Sequence, residues 1–335
     1  MKKHILISDP TLRDGSHAVQ HQLSLEQIAA YTAAAEKAGV PIVEVGHGNG
    51  LGASSLQVGE SLCSDIDMLQ AARKNLKKSK LGIHLIPGFA TIKKDLEKVI
   101  DIVDVVRVAS HCTEADITAR HIDYAKKMGK DAFGVLMMSH MAPIDVLVEE
   151  CVKMESYGAD AVIIMDSAGA SIPADVTERI SKIVNKISVP VGFHAHNNLG
   201  LAIANSIAAV EAGAMILDGT IKGFGAGAGN AQLEVLIAVL EKMGYSTGID
   251  LYGILDAADL AENKIVKNNP TIKTLSIVSG LSGVFSAFSV HVARISKEFN
   301  VDPRDVFFEL GKRKIVAGQE DMIVEVAINL QGKKK

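Results

Sequence analysis

The feature that most constrains the fold is a regular alternation of short β-branched runs with longer segments of helical periodicity, such as Ser24–Ala38 and Ile144–Tyr157. The short runs predict buried strands, and the longer segments predict helices that cross from one strand to the next. The eight predicted strands are His4–Ile7, Ile42–Val45, Leu81–Ile86, Val103–Val108, Ala132–Met138, Ala161–Met165, Val189–Phe193 and Met215–Leu217.

Glycines mark the ends of several predicted helices, directly before the next strand. These glycines are Gly39, Gly129, Gly158 and Gly213. Glycine readily adopts the left-handed conformation that ends a helix. Because strands joined by crossover helices run parallel, eight such units in about 240 residues predict an α/β fold, a (β/α)8 TIM barrel. The pattern alone leaves a doubly wound sheet open.

Polar side chains follow every predicted strand. They include Asp9 and Arg13-Asp14, Glu44 and His47, His84, Arg107 and His111, Ser139-His140, Asp166-Ser167, His194 and His196, and Asp218 with Lys222. Barrel enzymes carry their chemistry at the carboxyl ends of the parallel strands. One polar strand end would mean little, but eight of them predict an enzyme.

Composition excludes several other classes of protein. The chain has 335 residues, of which 48% are hydrophobic and 22% charged, so it can bury a large core. A net charge of −4 gives no electrostatic reason to expect nucleic acid, and no apolar run approaches the roughly 20 residues of a membrane helix. Three widely spaced cysteines suggest neither a disulfide framework nor a zinc knuckle. We therefore expect a cytoplasmic protein.

Two segments carry candidate metal ligands. His194-Ala195-His196 follows an apolar run, and residues two apart in a strand face the same side, so both imidazoles can converge on one ion. Alone, such a pair is nonspecific and can equally serve as two hydrogen-bonding residues. The segment after the first strand adds Arg13, Asp14 and His17. A carboxylate and two imidazoles leave open positions on a divalent ion, which a 2-oxo acid could fill.

A glycine-rich loop, residues 223–230, follows the eighth strand and precedes a helix predicted to begin near Ala231. Its backbone amides could bind an anion, or the loop could simply shape the site. It is not a Walker sequence, because no Gly-Lys-Ser/Thr follows. We favour shaping of the site over phosphate binding.

Three separated segments resemble the 4-hydroxy-2-oxovalerate aldolases, which belong to the wider barrel family of 3-hydroxy-3-methylglutaryl-CoA lyase and isopropylmalate synthase. They are Asp9-Pro-Thr-Leu-Arg-Asp-Gly-Ser-His17, His194-Ala-His-Asn-Asn-Leu-Gly200 and Gly225-Ala-Gly-Ala-Gly-Asn230. The resemblance runs over nearly the whole chain. The acyl-CoA-condensing relatives carry Glu-Gln or a similar pair after the Asp-Gly, whereas Gly15-Ser16-His17 is similar to the aldolases.

The resemblance implies a role for each matching residue. It implies that Asp14, His194 and His196 bind a divalent ion, with Mn²⁺ expected, and that Ser167 contacts the substrate. Arg13 would bind the pyruvyl oxygen and stabilise the enolate, and His17 would take the proton from the C4 hydroxyl. The implied reaction is that of a class II pyruvate aldolase, which cleaves a 4-hydroxy-2-oxo acid to pyruvate and a short aldehyde.

One residue departs from the family pattern. The aldolases usually have a tyrosine in a Gly-Val-Tyr-Ser motif after the barrel, where this chain has Gly283-Val284-Phe285-Ser286. We expect Phe285 to line the substrate pocket without the tyrosine's hydroxyl, so that substrate preference, stereochemical control or proton transfer differs.

The segment after the barrel predicts a C-terminal helical appendage. We expect a catalytic domain over residues 1–262 and a helical domain over residues 263–335. The resemblance implies that the second domain docks an acylating acetaldehyde dehydrogenase and that the protein is an oligomer. Two alternatives stay open: an acyl-CoA-dependent condensing enzyme of the same barrel family, and a non-catalytic scaffold for a dehydrogenase.

Overall fold

The computed structural model describes residues 3–266, 268–316 and 318–332. Eight parallel strands close into a barrel in sequence order, and β1 pairs with β8. This confirms the TIM barrel and excludes the doubly wound sheet. The strands are β1 (Leu6–Leu12), β2 (Ile42–Val45), β3 (Lys80–Leu85), β4 (Val105–His111), β5 (Asp131–Met137), β6 (Ala161–Asp166), β7 (Val191–Ala195) and β8 (Ile216–Asp218).

Helices surround the barrel and continue beyond it. The α-helices of the described residues are α1 (Leu25–Ala38), α2 (Asp65–Arg73), α3 (Glu97–Val99), α4 (Ala119–Lys127), α5 (Ile144–Ser156), α6 (Pro173–Val184), α7 (Ala202–Glu211), α8 (Leu233–Lys242), α9 (Leu251–Lys264), α10 (Thr274–Ser282), α11 (Phe288–Glu298), α12 (Pro303–Lys312) and α13 (Met322–Gly332). None of them is both long and apolar enough to cross a membrane.

The ends of α1 show why this sequence forms a helix here. Ser24 Oγ accepts a hydrogen bond from the backbone amide of Gln27, and the Gln27 side chain accepts one from the Ser24 amide, which completes a capping box. Gly39 ends the helix with φ 79°, a conformation that favours glycine. Both ends of the helix agree with the sequence prediction.

The first strand is where the predicted bounds were least accurate. We placed it at His4–Ile7, but β1 runs from Leu6 to Leu12. The register between β1 and β2 shifts between Asp9 and Leu12. Such an irregularity tolerates Pro10, which has no amide hydrogen to donate to the sheet. The extra residues carry Arg13 and Asp14 to the mouth of the barrel.

Two separate layers of apolar residues stabilise the barrel. Its interior is filled from several strands by side chains such as Ile42, Val105, Phe133 and Ile163. A larger cluster lies between the strands and the surrounding helices. The polar residues at the mouth of the barrel therefore lie on a rigid, close-packed interior.

The C-terminal helices α10–α13 pack around a hydrophobic cluster of their own. Its buried members include Val284, Phe288, Val292, Phe307 and Leu310. The predicted helical appendage is confirmed.

Candidate active site

Asp14, His194 and His196 converge at the carboxyl end of the barrel. Asp14 follows β1, His194 lies within β7, and His196 follows that strand. The Nε2 atoms of the two histidines lie 3.8 Å and 4.0 Å from Asp14 Oδ2, and all three side chains are buried. Their candidate ligand atoms all lie within 4.8 Å of one another. The structure thus brings together the three residues that the sequence singled out.

Hydrogen bonds at the far side of each imidazole orient this pair. His194 Nδ1 donates to Asp218 Oδ2 at 2.8 Å, and His196 Nδ1 donates to the Asp166 carbonyl oxygen at 3.0 Å. A proton on Nδ1 leaves the lone pair of Nε2 free to bind a metal. His194 Nε2 is buried and has no hydrogen-bond partner among the described residues. The Nε2 atoms of the two imidazoles, beside a carboxylate, fit a divalent ion with open positions.

Arg13 lies beside Asp14 and is only partly paired. Its Nη1 donates to Asp14 Oδ2 at 2.8 Å, and its Nε donates to Glu44 Oε2 at 3.2 Å. Its Nη2 is buried without a partner in the described part of the chain. Burial alone would raise the pKa of Asp14, but Arg13 and the neighbouring histidines outweigh it and hold that pKa well below its usual range. The free Nη2 can bind an anionic oxygen next to the metal site.

Arg107, which is fully buried, links His194 and Arg13 through two carboxylates. Arg107 donates from Nη2 to Asp218 Oδ2 at 2.6 Å, and from Nη1 to Glu44. Asp218 in turn holds His194, and Glu44 holds Arg13. The sequence marked Glu44, Arg107 and Asp218 only as polar strand ends. Removing one member would leave a buried charge unpaired, so the network holds its members in place.

His17 lies at the opening of the site, against the loop that follows β2. A side chain at Gly48 would overlap the His17 imidazole, so glycine lets the two approach closely. Burial lowers the pKa of His17 to about 4, with Arg13 acting in the same direction and Asp14 opposing it. His17 is therefore neutral near pH 7 and able to accept a proton. The stacked rings of His21 and His47, with centroids 3.6 Å apart, lie behind it.

Gly48→Ala tests whether this close approach positions His17. The added methyl group would push the imidazole aside, and we expect the turnover number of the enzyme to fall by roughly tenfold to a hundredfold. Steady-state kinetics would measure the change, and the circular dichroism spectrum should stay the same. Gly332→Ala is the control, because a methyl group there meets nothing within 4 Å. Wild-type turnover in Gly48→Ala would contradict this placement.

The glycine-rich loop holds the carboxylate of Asp14, one of the three candidate metal ligands. Asn230 Nδ2 donates to Asp14 Oδ1 at 3.0 Å, and a side chain at Gly225 would overlap Asn230. The helix after the loop begins at Leu233, two residues later than Ala231. Lys222, which also follows β8, is turned away from the site and pairs with Glu262 at 2.8 Å. Shaping of the site is therefore the role that this geometry supports.

The remaining candidates lie on neighbouring elements. Ser167 follows β6, and its Oγ accepts a hydrogen bond from the Met138 amide at 2.9 Å. Phe285 lies between α10 and α11, half-buried against the C-terminal cluster. Next to it, Ser286 Oγ accepts a hydrogen bond from Asn198 Nδ2 at 2.8 Å. Asn198 is only two residues after His196, so the segment that carries Phe285 is tied to the loop after β7.

Comparison with known proteins agrees with this geometry over the whole chain. A family model described as HMGL-like matches residues 4–261, and one described as a DmpG-like communication domain matches residues 270–332. A 4-hydroxy-2-oxovalerate aldolase from Spirochaeta aurantia is 65% identical over 330 residues, which make up 98% of this chain and 97% of that protein. One from Pectobacterium atrosepticum is 64% identical over 331 residues, 98% of this chain and 96% of that protein.

Solved structures share the architecture. The carboxyl transferase domain of Rhizobium etli pyruvate carboxylase, determined with 3-hydroxypyruvate, superposes with a TM-score of 0.81 at 15% identity. The match covers 99% of this chain and 61% of that one. At this identity the likeness shows the fold alone.

Proposed function

This chain belongs to the HMGL-like family and, within it, to the 4-hydroxy-2-oxovalerate aldolases, and we propose that it cleaves 4-hydroxy-2-oxo acids to pyruvate and a short aldehyde at a divalent-metal site. One observation carries the proposal. The unpartnered Nη2 of Arg13 and the free Nε2 of His194 lie beside the same carboxylate, Asp14. We assign Asp14, His194 and His196 as the metal ligands and Mn²⁺ as the ion.

His17 and Arg13 each carry out one part of the proposed cleavage reaction. A bound divalent ion would act as a Lewis acid and orient the 2-oxo acid. His17 accepts the proton of the C4 hydroxyl while the C3–C4 bond breaks, and the C4 oxygen becomes the aldehyde carbonyl. The electron pair of that bond passes to the pyruvyl half as an enolate, whose oxygen Arg13 Nη2 stabilises. The enolate then takes up a proton from solvent water at C3 to give pyruvate, and His17 returns its proton to solvent.

Ser167 completes the substrate-binding set. Its Oγ already accepts a hydrogen bond from Met138, so its own hydroxyl proton remains available. We assign it to a pyruvyl oxygen; Ser167 follows β6, whereas His17 follows β1.

A substrate comparison separates the aldolase from an acyl-CoA-condensing enzyme. We expect product from pyruvate plus acetaldehyde with Mn²⁺, and none from acetyl-CoA plus a 2-oxo acid. The opposite pattern would favour the condensing enzyme. A non-catalytic scaffold has no use for an open metal site, and only the absence of stoichiometric metal binding, together with no turnover of either pair, would favour it.

The C-terminal helices support a partner. We propose a catalytic domain over residues 1–262 and a docking domain over residues 263–335 that binds an acylating acetaldehyde dehydrogenase. The match to a DmpG-like communication domain supports this assignment, as does the separate hydrophobic cluster of α10–α13. An oligomeric assembly and a cytoplasmic location stay predictions.

Phe285→Tyr tests the departure from the family pattern. Phenylalanine keeps the volume of the ring but lacks the hydroxyl, and one hydrogen bond contributes about 0.5–1.5 kcal/mol. We expect the variant to shift the preference between short and longer aldehydes, or between the C4 stereoisomers, by several-fold without changing metal affinity. The measurement is kcat/KM for both stereoisomers at two chain lengths. Unchanged ratios for all four substrates would remove Phe285 from the substrate pocket.

A further inference from the structure

His84 is a buried imidazole at the barrel mouth to which the mechanism above assigns no role. It lies on β3 in register with Arg107 of β4, and its side chain is 2% exposed. On the neighbouring strand pair Gly82 is in register with Glu44, and a side chain at Gly82 would contact Glu44. Since residues two apart in a strand face the same side, His84 lies on the inner face, above Glu44.

The Nδ1 atom of His84 is buried and has no hydrogen-bond partner within the described ranges. Most buried polar atoms in folded proteins are paired, and among the described residues that have an unpaired one, Arg13 and His194 lie with His84 at the barrel mouth. Burial, with Arg13 and Arg107 nearby, holds the pKa of His84 well below its usual value. The neutral ring has one donor and one acceptor nitrogen.

The loop after β2 places His84 on the same side as His17. The Leu51 amide donates to the His84 carbonyl oxygen at 2.8 Å. Gly50, at φ 95°, passes so close to His84 that a side chain there would overlap its backbone and contact its ring. Two residues earlier, Gly48 packs against the His17 imidazole. The loop after β2 thus contacts both histidines, and we place His84 on the side of the barrel mouth where His17 meets the C4 end of the substrate in the proposed mechanism.

We propose that His84 hydrogen-bonds the aldehyde half of the substrate, and that the protein favours aldehydes that carry a hydroxyl group next to the carbonyl. The inference rests on the proposed aldolase function. A hydroxyl group both donates and accepts, which matches a neutral imidazole. A carboxylate on the aldehyde half of the substrate would fit this position less well than a hydroxyl group. Arg13 and Arg107 with Asp14, Glu44 and Asp218 carry a net charge of −1, which a divalent ion would change to +1 and the pyruvyl carboxylate would bring to zero.

The test compares glycolaldehyde with propionaldehyde, which differ by a hydroxyl in place of a methyl group. Each is added to pyruvate in the presence of Mn²⁺, and kcat/KM is measured for both aldehydes. We expect the wild-type protein to favour glycolaldehyde by about tenfold and His84→Leu to lose that preference, because a site built to hydrogen-bond a hydroxyl rejects the analogue without it. His84→Asn, which can still hydrogen-bond, should retain part of the preference.

Two controls distinguish a wrong role for His84 from a wrong proposed function. His121→Leu makes the same substitution on α4, where the ring also has an unpartnered Nδ1, and it should leave the ratio unchanged. Exchange of the C3 protons of pyruvate with solvent reports the enolate alone and should persist in His84→Leu. If wild-type protein shows no exchange, the proposed function fails. If exchange is normal but the ratio is the same in wild type and His84→Leu, only the role of His84 is overturned.

The remaining outcomes also decide the proposal. One such outcome is that His84→Leu loses the exchange of pyruvate protons to the same extent as the glycolaldehyde preference. That result would place His84 at the 2-oxo acid half of the substrate and contradict the proposal. A wild-type ratio near one would contradict it without any variant. If His84→Leu does not fold, His84→Asn still tests the proposal: a partial loss of the glycolaldehyde preference supports it, and a ratio equal to that of the wild type contradicts it.

Discussion

Chelation of the divalent ion is expected to abolish cleavage of 4-hydroxy-2-oxovalerate, with a loss of at least about a thousandfold. Asp14, His194 and His196 supply one carboxylate and two imidazoles, a donor set typical of transition ions. Mn²⁺ should therefore restore turnover, whereas Ca²⁺, which prefers more oxygen ligands, should restore it poorly. The measurement is pyruvate release from metal-stripped protein titrated with each ion.

The control for this experiment is a check that removal of the ion leaves the fold unchanged. Circular dichroism of the stripped protein should match that of the loaded protein, because the barrel is held by its apolar layers and not by the ion. Full turnover in excess chelator, with no bound metal detected, would contradict the assignment of all three ligands.

Removal of His17 or Arg13 is expected to have the next largest effects, and the two effects differ in kind. His17→Ala should slow cleavage by roughly 10²–10⁴-fold, the usual span for a general base. Pyruvate binding should survive, since Arg13 and the metal ligands remain. Arg13→Ala should impair both cleavage and the enolisation of pyruvate, because both pass through the same enolate.

The two variants serve as controls for each other. Exchange of the C3 protons of pyruvate should persist in His17→Ala and be lost in Arg13→Ala. If His17→Ala cleaves the substrate at the wild-type rate, the base is another residue. If Arg13→Ala exchanges pyruvate protons normally, the unpartnered Nη2 does not face the enolate.

Much of the fold could be predicted from the sequence because strand and helix periodicity are local properties. The predicted bounds of β2 agree with the structure, and the other strands were displaced by one or a few residues. The largest error, in β1, arose because Pro10 indicates a turn unless the register shift that accommodates it is known. The pairing of His194 with His196 was predictable because alternation along a strand decides which residues share a face.

The support beneath the site could not be predicted in this way. Arg107 reaches Glu44 on one side and Asp218 on the other, and these residues come from β4, β2 and β8. Which inward-facing residues meet depends on how the strands stagger when the barrel closes, a long-range property that no single segment encodes. The same holds for the stack of His21 on His47 and for the Nδ1 atom of His84, which has no hydrogen-bond partner among the described residues.

The most direct test of the central claim is the rate at which the C3 protons of pyruvate exchange with deuterium, followed by NMR with and without Mn²⁺. The claim is that Arg13 and the ion held by Asp14, His194 and His196 together stabilise a pyruvate enolate. It predicts fast exchange in the loaded wild-type protein and exchange near the uncatalysed rate in the stripped protein. Equal exchange with and without the ion would contradict it.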